Sequence, residues 1–250
     1  MARLTASSGV GYAIGPLVGA LIAEHVDETT AVYIAASLFV GLLPVVAMCL
    51  PETSPLKRRE SSWGLVTRFA ALQRLDSQFA LAMIIMALPE LAIICFSTTV
   101  LSSLSVNELA QSKIWLGSVN TAMGASAGVV SAFALPALTP VVGDLRVLRW
   151  GYLAYGCASA LLACFPRPHA VLLSILPFSL GIAVLRSTPA AFLSRRMPAD
   201  VQGEALGMLD AVSSFLRVCC PLACGILIDA AGSQAALSLQ FASCIVAAVM

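Results

Sequence analysis

The stretch GVGYAIGPLVGALIAEH, residues 9–25, is apolar enough for a membrane helix yet carries four glycines and a proline. Glycine weakens a helix interior, and proline removes a backbone donor and crowds the preceding turn. Gly11, Gly15 and Gly19 recur every four residues, so a helix stacks them on one face. Lipid gives helices no hydrophobic reason to associate, so a small-residue face serves close backbone approach. Pro16 lies within this run and favours a bend. The stretch therefore reads as a kinked, tightly apposed helix. Ordinary close packing without motion is the other reading, and it leaves the proline without a purpose.

The rest of the chain agrees with a membrane setting. Of 250 residues, 59% are hydrophobic and 11% charged, whereas a soluble domain is roughly half apolar and a quarter charged. Apolar segments stand at about 6–23, 31–50, 79–100, 114–138, 147–165, 170–185, 205–228 and 235–250, most of them close to the ~20 residues that cross a bilayer. The expected fold is an all-α polytopic bundle of about eight transmembrane helices, with the lipid bilayer as its first partner. A net charge of +1 points to no nucleic acid or polyanion. The eight cysteines all lie in apolar runs without a paired CxxC set, and read as small buried hydrophobes. With His25 and His169 the only histidines, no metal site is expected. Residues 1–23 resemble a signal peptide superficially, but Pro16 splits the apolar run and further spans follow.

Lysine and arginine set the orientation. With a cytoplasmic N-terminus, the inner ends and loops hold Arg3, Lys57, Arg58, Arg59, Arg68, Arg74, Arg146, Arg149, Arg186, Arg195 and Arg196. The outer loops then hold only Lys113 and Arg167, and Arg217 falls inside a span. This bias predicts a multi-pass protein whose first residue is inside. The longest inner loop, 51–78, contains KRRESSWGLVTRFAALQRLDSQ. Leu65, Phe69 and Leu72 would share a face of a surface helix there, which is compatible with a basic linker between two bundles.

A repeat is visible six spans apart. PLVGALIAE (16–24) and PLACGILID (221–229) both open Pro-Leu and reach a carboxylate eight residues later. Seven residues beyond each acid the next apolar segment starts, at Ala31 and Ala236. Both copies run in the same direction, a parallel repeat of the kind found in transporters. If the second copy closes one six-span half, the first closes another. Residues 1–50 are then the last two helices of an N-terminal bundle, 51–78 a cytoplasmic basic linker, and 79–250 a six-helix C-terminal bundle with a shortened last helix.

These residues resemble the major facilitator superfamily from its fifth helix onward. GVGYAIGPLVGALI is similar to the helix-five antiporter signature of the drug:proton antiporter branch, with Gly11, Gly15, Pro16 and Gly19 at its positions. LPET at 50–53 resembles the close of helix six. PVVGDLRVLRWG at 140–151 is similar to a thinned copy of the helix eight–nine loop motif, retaining Gly143, Asp144 and Arg146. Residues 194–229 resemble helix eleven of tetracycline-efflux-like members through Gln202, Gly203, Gly207, Pro221 and Gly225. The resemblance implies proton-coupled transport of a small organic solute by alternating access, driven by a proton gradient with no cofactor. The alternative is a truncated, transport-incompetent form that associates with the missing N-terminal helices or a full-length copy. The resemblance also implies that helices five and eight meet, so Gly117, Gly124 and Gly128 offer the facing surface for the first helix.

Three ionisable groups fall inside spans, where a charge costs roughly 2.5–3.5 kcal/mol at the bilayer centre. Glu90 follows Pro89 in MIIMALPELAIICFS, and a carboxyl kept from water favours its protonated form, so it can take a proton from one side and release it to the other. A permanently protonated or paired structural role is the alternative. Asp210 and Arg217 lie seven apart with Ser214 between them, and Gly203, Gly207 and Pro221 extend the same stripe. Such a face binds an anion or tunes a carboxylate, or it locks two helices as an ion pair. Ser174, Pro177 and Gly181 fit a bent, cavity-lining helix by the same resemblance, and Asn120, Thr121 and Ser131 can donate hydrogen bonds. GASAG, 124–128, matches the hydrolase pattern G-x-S-x-G. Ser126 is mid-span while both histidines sit at outer span ends, about 15 Å away, so the small residues read better as packing and the chain is not expected to be an enzyme.

Overall fold

A computed structural model describes residues 2–49, 99–196 and 202–249, and among them every regular element is helical. In chain order these are α1 (Ala2–His25), α2 (Glu28–Cys49), a short α3 (Leu101–Ser103, continued as a wider π-turn over Leu104–Glu108), α4 (Lys113–Val142), α5 (Asp144–Cys164), α6 (Pro168–Arg196), α7 (Gln202–Ala231) and α8 (Ser233–Val249). The linker 51–78 and most of the segment 79–100 lie outside the described residues. Within the described part, α2, α4, α5, Pro168–Pro189 of α6 and Leu209–Ala231 of α7 are long and apolar enough to cross a bilayer. The protein is an all-α, multi-pass integral membrane protein.

The chain divides into two compact units, Met1–Leu21 with Ala82–Met250, and Ile22–Leu81. In the second unit, α2 buries none of its described residues and shows Tyr33, Phe39, Leu43 and Met48 all round. A helix apolar on every face belongs in lipid. Asp27 starts it by accepting the Thr29 N–H at 3.2 Å, which satisfies one of the donors left open at a helix N-terminus.

The first unit is organised around α5, which packs against α6 on one side and α8 on the other. Its buried face runs Val147, Leu148, Gly151, Tyr152, Tyr155, Ala158, Ser159 and Leu162, a three- and four-residue spacing. Glycines bring the backbones together. A Cβ on Gly151 would stand 2.5 Å from Val184 Cγ1, and one on Gly181 would stand 2.7 Å from Tyr155 Cβ. Gly156 faces Cys244 of α8 in the same way, at 3.1 Å. The Tyr155 and Phe178 rings meet edge to face, 4.8 Å between centroids. The Ser179 hydroxyl shares its proton between the Ile175 carbonyl of its own helix at 2.6 Å and the Met123 carbonyl of α4 at 3.2 Å, which ties α6 to α4.

The surface reverses the soluble pattern. Leu173 and Leu176 on α6, and Phe215 and Val218 on α7, are each more than two-thirds exposed, while Ser159, Ser174, Ser179 and Gln240 are buried. Apolar surface of this extent needs a nonpolar solvent, and the buried hydroxyls have local acceptors: Ser159 donates to Tyr155 O at 3.0 Å and Ser174 to Val171 O at 2.7 Å.

Candidate functional site

The small-residue contact of the opening stretch is made, but on another face. Gly117 of α4 lies so close to α1 that a Cβ there would be 2.5 Å from Ala20 Cβ and 2.9 Å from the Pro16 carbonyl oxygen. The residues touched are Pro16, Leu17 and Ala20. Among the described residues, a Cβ on Gly11, Gly15 or Gly19 would meet nothing within 4 Å. At 100° per residue the glycine stripe lies roughly 140° around the helix from the contact. The proline side of α1 thus supplies the close approach, and the glycine side is left open. Gly124 and Gly128 on α4 are half-buried.

On α7 three stripes run side by side. Ser213, Cys220 and Cys224 are buried. Phe215, Val218, Leu222 and Ile226 form an exposed apolar stripe. Between them stand Gly207, Asp210, Ser214 and Arg217, all exposed, with Pro221 and Gly225 half-buried behind. Helical rise puts Asp210 and Arg217 about 10 Å apart along the axis. This polar stripe is exposed on the bundle, and a charged face does not look at hydrocarbon without cost. It is the arrangement of a helix that presents charge to water or to a polar solute. Gln202 and Gly203 lie in the first turn of the same helix.

Other candidates take structural places. Gly143 has φ 92° and ψ 148°, a conformation reserved for glycine, and turns the chain from α4 into α5 in one residue. Asp144 stands in the first turn of α5, where a negative charge suits the helix dipole, and Arg146 beside it is exposed. Ser174 and Gly181 are buried in the α5–α6 packing rather than set on an open face. Ser126 donates to the Ala122 carbonyl at 2.6 Å inside an unbroken turn of α4. A nucleophile elbow needs a sharp strand-to-helix turn, which this is not. Glu90, with Pro89, lies outside the described residues.

The seam of Gly151, Gly156 and Gly181 went unread in the sequence. Its signal was available: Gly151 and Gly156 flank Tyr152 and Tyr155 on one segment, and Gly181 follows Phe178 on the next. Pairing them required knowing that these segments are neighbours.

Comparison with known proteins fits this architecture. The family described as Major Facilitator Superfamily matches residues 1–215. No curated protein matches the chain.

Proposed function

The chain belongs to the Major Facilitator Superfamily, a membership that supports transport of a solute across a membrane, and from that premise we propose proton-coupled movement of a small organic solute by alternating access, of the antiporter or efflux type. The observation that carries the reading is the exposed stripe of Asp210, Ser214 and Arg217 on a mainly apolar helix. Arg217 supplies a fixed cation for an anionic group of the solute or for a carboxylate that carries the proton, and Ser214 bridges it toward Asp210. Glu90 is the proposed proton carrier. The tetracycline-efflux-like branch is the proposed relation, carried by the sequence from Gln202 to Gly225.

Orientation is part of the proposal: the basic residues place the N-terminus in the cytoplasm. Residues 79–250 form one six-helix half and 51–78 the linker before it. Transport of this kind draws its energy from the proton gradient and calls for no cofactor.

The test uses the purified chain in proteoliposomes with a pH-sensitive dye inside and a panel of cationic, anionic and neutral organic solutes outside. Proton movement that depends on one solute class, and that Arg217→Gln abolishes, is expected. Solute movement indifferent to the pH gradient ends the proton-coupled reading. An unchanged pH dependence in Glu90→Gln removes that residue as the carrier.

A further inference from the structure

The helix α4 is two pieces joined by a turn of different width. Its first piece, Lys113–Val129, starts on a Ser112 cap that accepts the Trp115 N–H at 3.1 Å. It is held on two sides. Gly117 is pressed on α1, and the Met123 carbonyl accepts the Ser179 hydroxyl of α6. Val119, Met123 and Ala127 are buried at four-residue steps.

The helix then widens. The Val130 N–H is shared between the Ala127 and Ser126 carbonyls, and the Leu135 N–H reaches back five residues to Val130 O. The cause is in the sequence. Pro136 has no N–H to continue the ladder, and its ring crowds the carbonyl one turn earlier. A wider turn is one way for a helix to absorb that crowding, and such turns gather at functional sites.

The last piece, Leu135–Val142, has one buried residue, Leu135. Pro136, Ala137, Leu138, Pro140 and Val141 are exposed. It ends at Gly143, whose N–H donates to the Thr139 carbonyl at 2.9 Å and whose carbonyl accepts the Val147 N–H at 3.1 Å, at a φ of 92° that glycine adopts readily. Beyond Gly143, α5 is seated again from Val147 onward. An eight-residue rod held mainly at its two ends, by Leu135 in the core and Val142 packed against it, therefore stands between two joints, and each joint is set in a well-held neighbour.

We propose that Leu135–Val142 is a moving strut. It tilts about the π-turn at Val130–Ala134, and Gly143 takes up the change of direction so that α5 stays in place. In the orientation proposed above, the strut lies at the cytoplasmic end of α4, where its tilt narrows or widens that end of the solute path. This purpose rests on the transport reading, whereas the motion itself does not.

The test measures the full-length chain in lipid nanodiscs, with nitroxide labels on noncanonical amino acids so that the native cysteines remain. One pair joins Val141 to Leu173 of α6, and a control pair joins Val129 to Leu173. Two distance populations are expected for the first pair and one for the control. Pro136→Ala restores the missing donor, and its expected effect is loss of one of the two Val141 populations with the control unchanged. Gly143→Ala restricts the other joint and is expected to do the same. A single population at Val141 in the wild-type chain overturns the proposal, as does persistence of both populations in the two variants. Two populations in a chain that moves no solute leave the strut standing and remove the transport reading. Solute transport with a single population does the reverse.

Discussion

Two helices of this protein share a sentence of sequence and use it differently. PLVGALIAE in α1 and PLACGILID in α7 align residue for residue, and the following helix begins at the fourth residue after each acid, Glu28 after Glu24 and Ser233 after Asp229. The packing nonetheless falls on different positions. In α1 the residue four after the proline, Ala20, is the one in contact, and Gly19 is open. In α7 the residue three after the proline, Cys224, is buried, and Gly225 is open. A shift of one residue turns the contact face by about 100°. The difference in charge is sharper. Asp210 and Arg217 stand where α1 has Thr5 and Tyr12. The repeat keeps the shape of a helix end and its turn, while the charges of Asp210 and Arg217 have no counterpart at Thr5 and Tyr12.

Substitutions that exchange the roles of the two copies test this contrast. The largest effect is expected from Arg217→Leu, with solute transport falling at least about tenfold, the factor that ~1.4 kcal/mol of lost interaction produces. The matching change in α1, Tyr12→Leu, leaves transport within a small factor, and equal losses in both would erase the distinction between charged and uncharged copies. Next comes Ala20→Leu, which forces side-chain atoms against Gly117. Overpacking of this kind costs about 1–3 kcal/mol, and it is read as a lower thermal midpoint in detergent. Gly225→Leu, at the equivalent place in α7, enters open space and leaves the midpoint unchanged.

Smaller effects follow on the neighbouring positions. Gly15→Leu and Gly19→Leu are expected to be neutral for folding, because no atom of the described residues lies within 4 Å of either Cβ position. A drop comparable to that of Ala20→Leu would return the close approach to the glycine stripe. Cys224→Leu, at the position equivalent to Gly19, is expected to lower the midpoint because its site is buried. A small loss is expected of Ser179→Ala. It removes the cross-helix bond to Met123 at a cost of about 0.6 kcal/mol, the average for such bonds in a membrane helix bundle, so it serves as the scale on which the other midpoints are read.

Much of the fold was legible in the residues. For the described spans other than α6, apolar length gave the helices to within a turn or so, since satisfying every backbone group inside lipid leaves a chain few options besides helix. The segment expected at 114–138 is Lys113–Val142, and that at 235–250 is Ser233–Val249. The largest extension is on α6, expected over 170–185 and running from Pro168 to Arg196. There, Arg186 and Pro189 look like a boundary, yet the helix continues through both. The candidate site was legible in part. The polar stripe on α7 follows from spacing within one helix, and Asp210, Ser214 and Arg217 are all exposed on it. Contacts between helices were less accessible. A glycine every four residues on α1 announced an approach, but which face meets α4 depends on the rotation of each helix.

The sequence by itself determined the class of the protein, its helices, the turn repeated after Glu24 and Asp229, and the grouping of charge on α7. All of these are set by interactions within a few residues or by the demand that lipid makes on backbone polar groups. Tertiary structure alone decided that Gly117 takes Ala20 and Pro16 as neighbours, that Gly151 and Gly181 make the α5–α6 seam, and that α4 is held firmly on one side of its π-turn and lightly on the other. In lipid, helix faces compete through van der Waals fit, with small differences in energy between them. Several apolar faces of one helix are therefore nearly equivalent until a specific partner is in place.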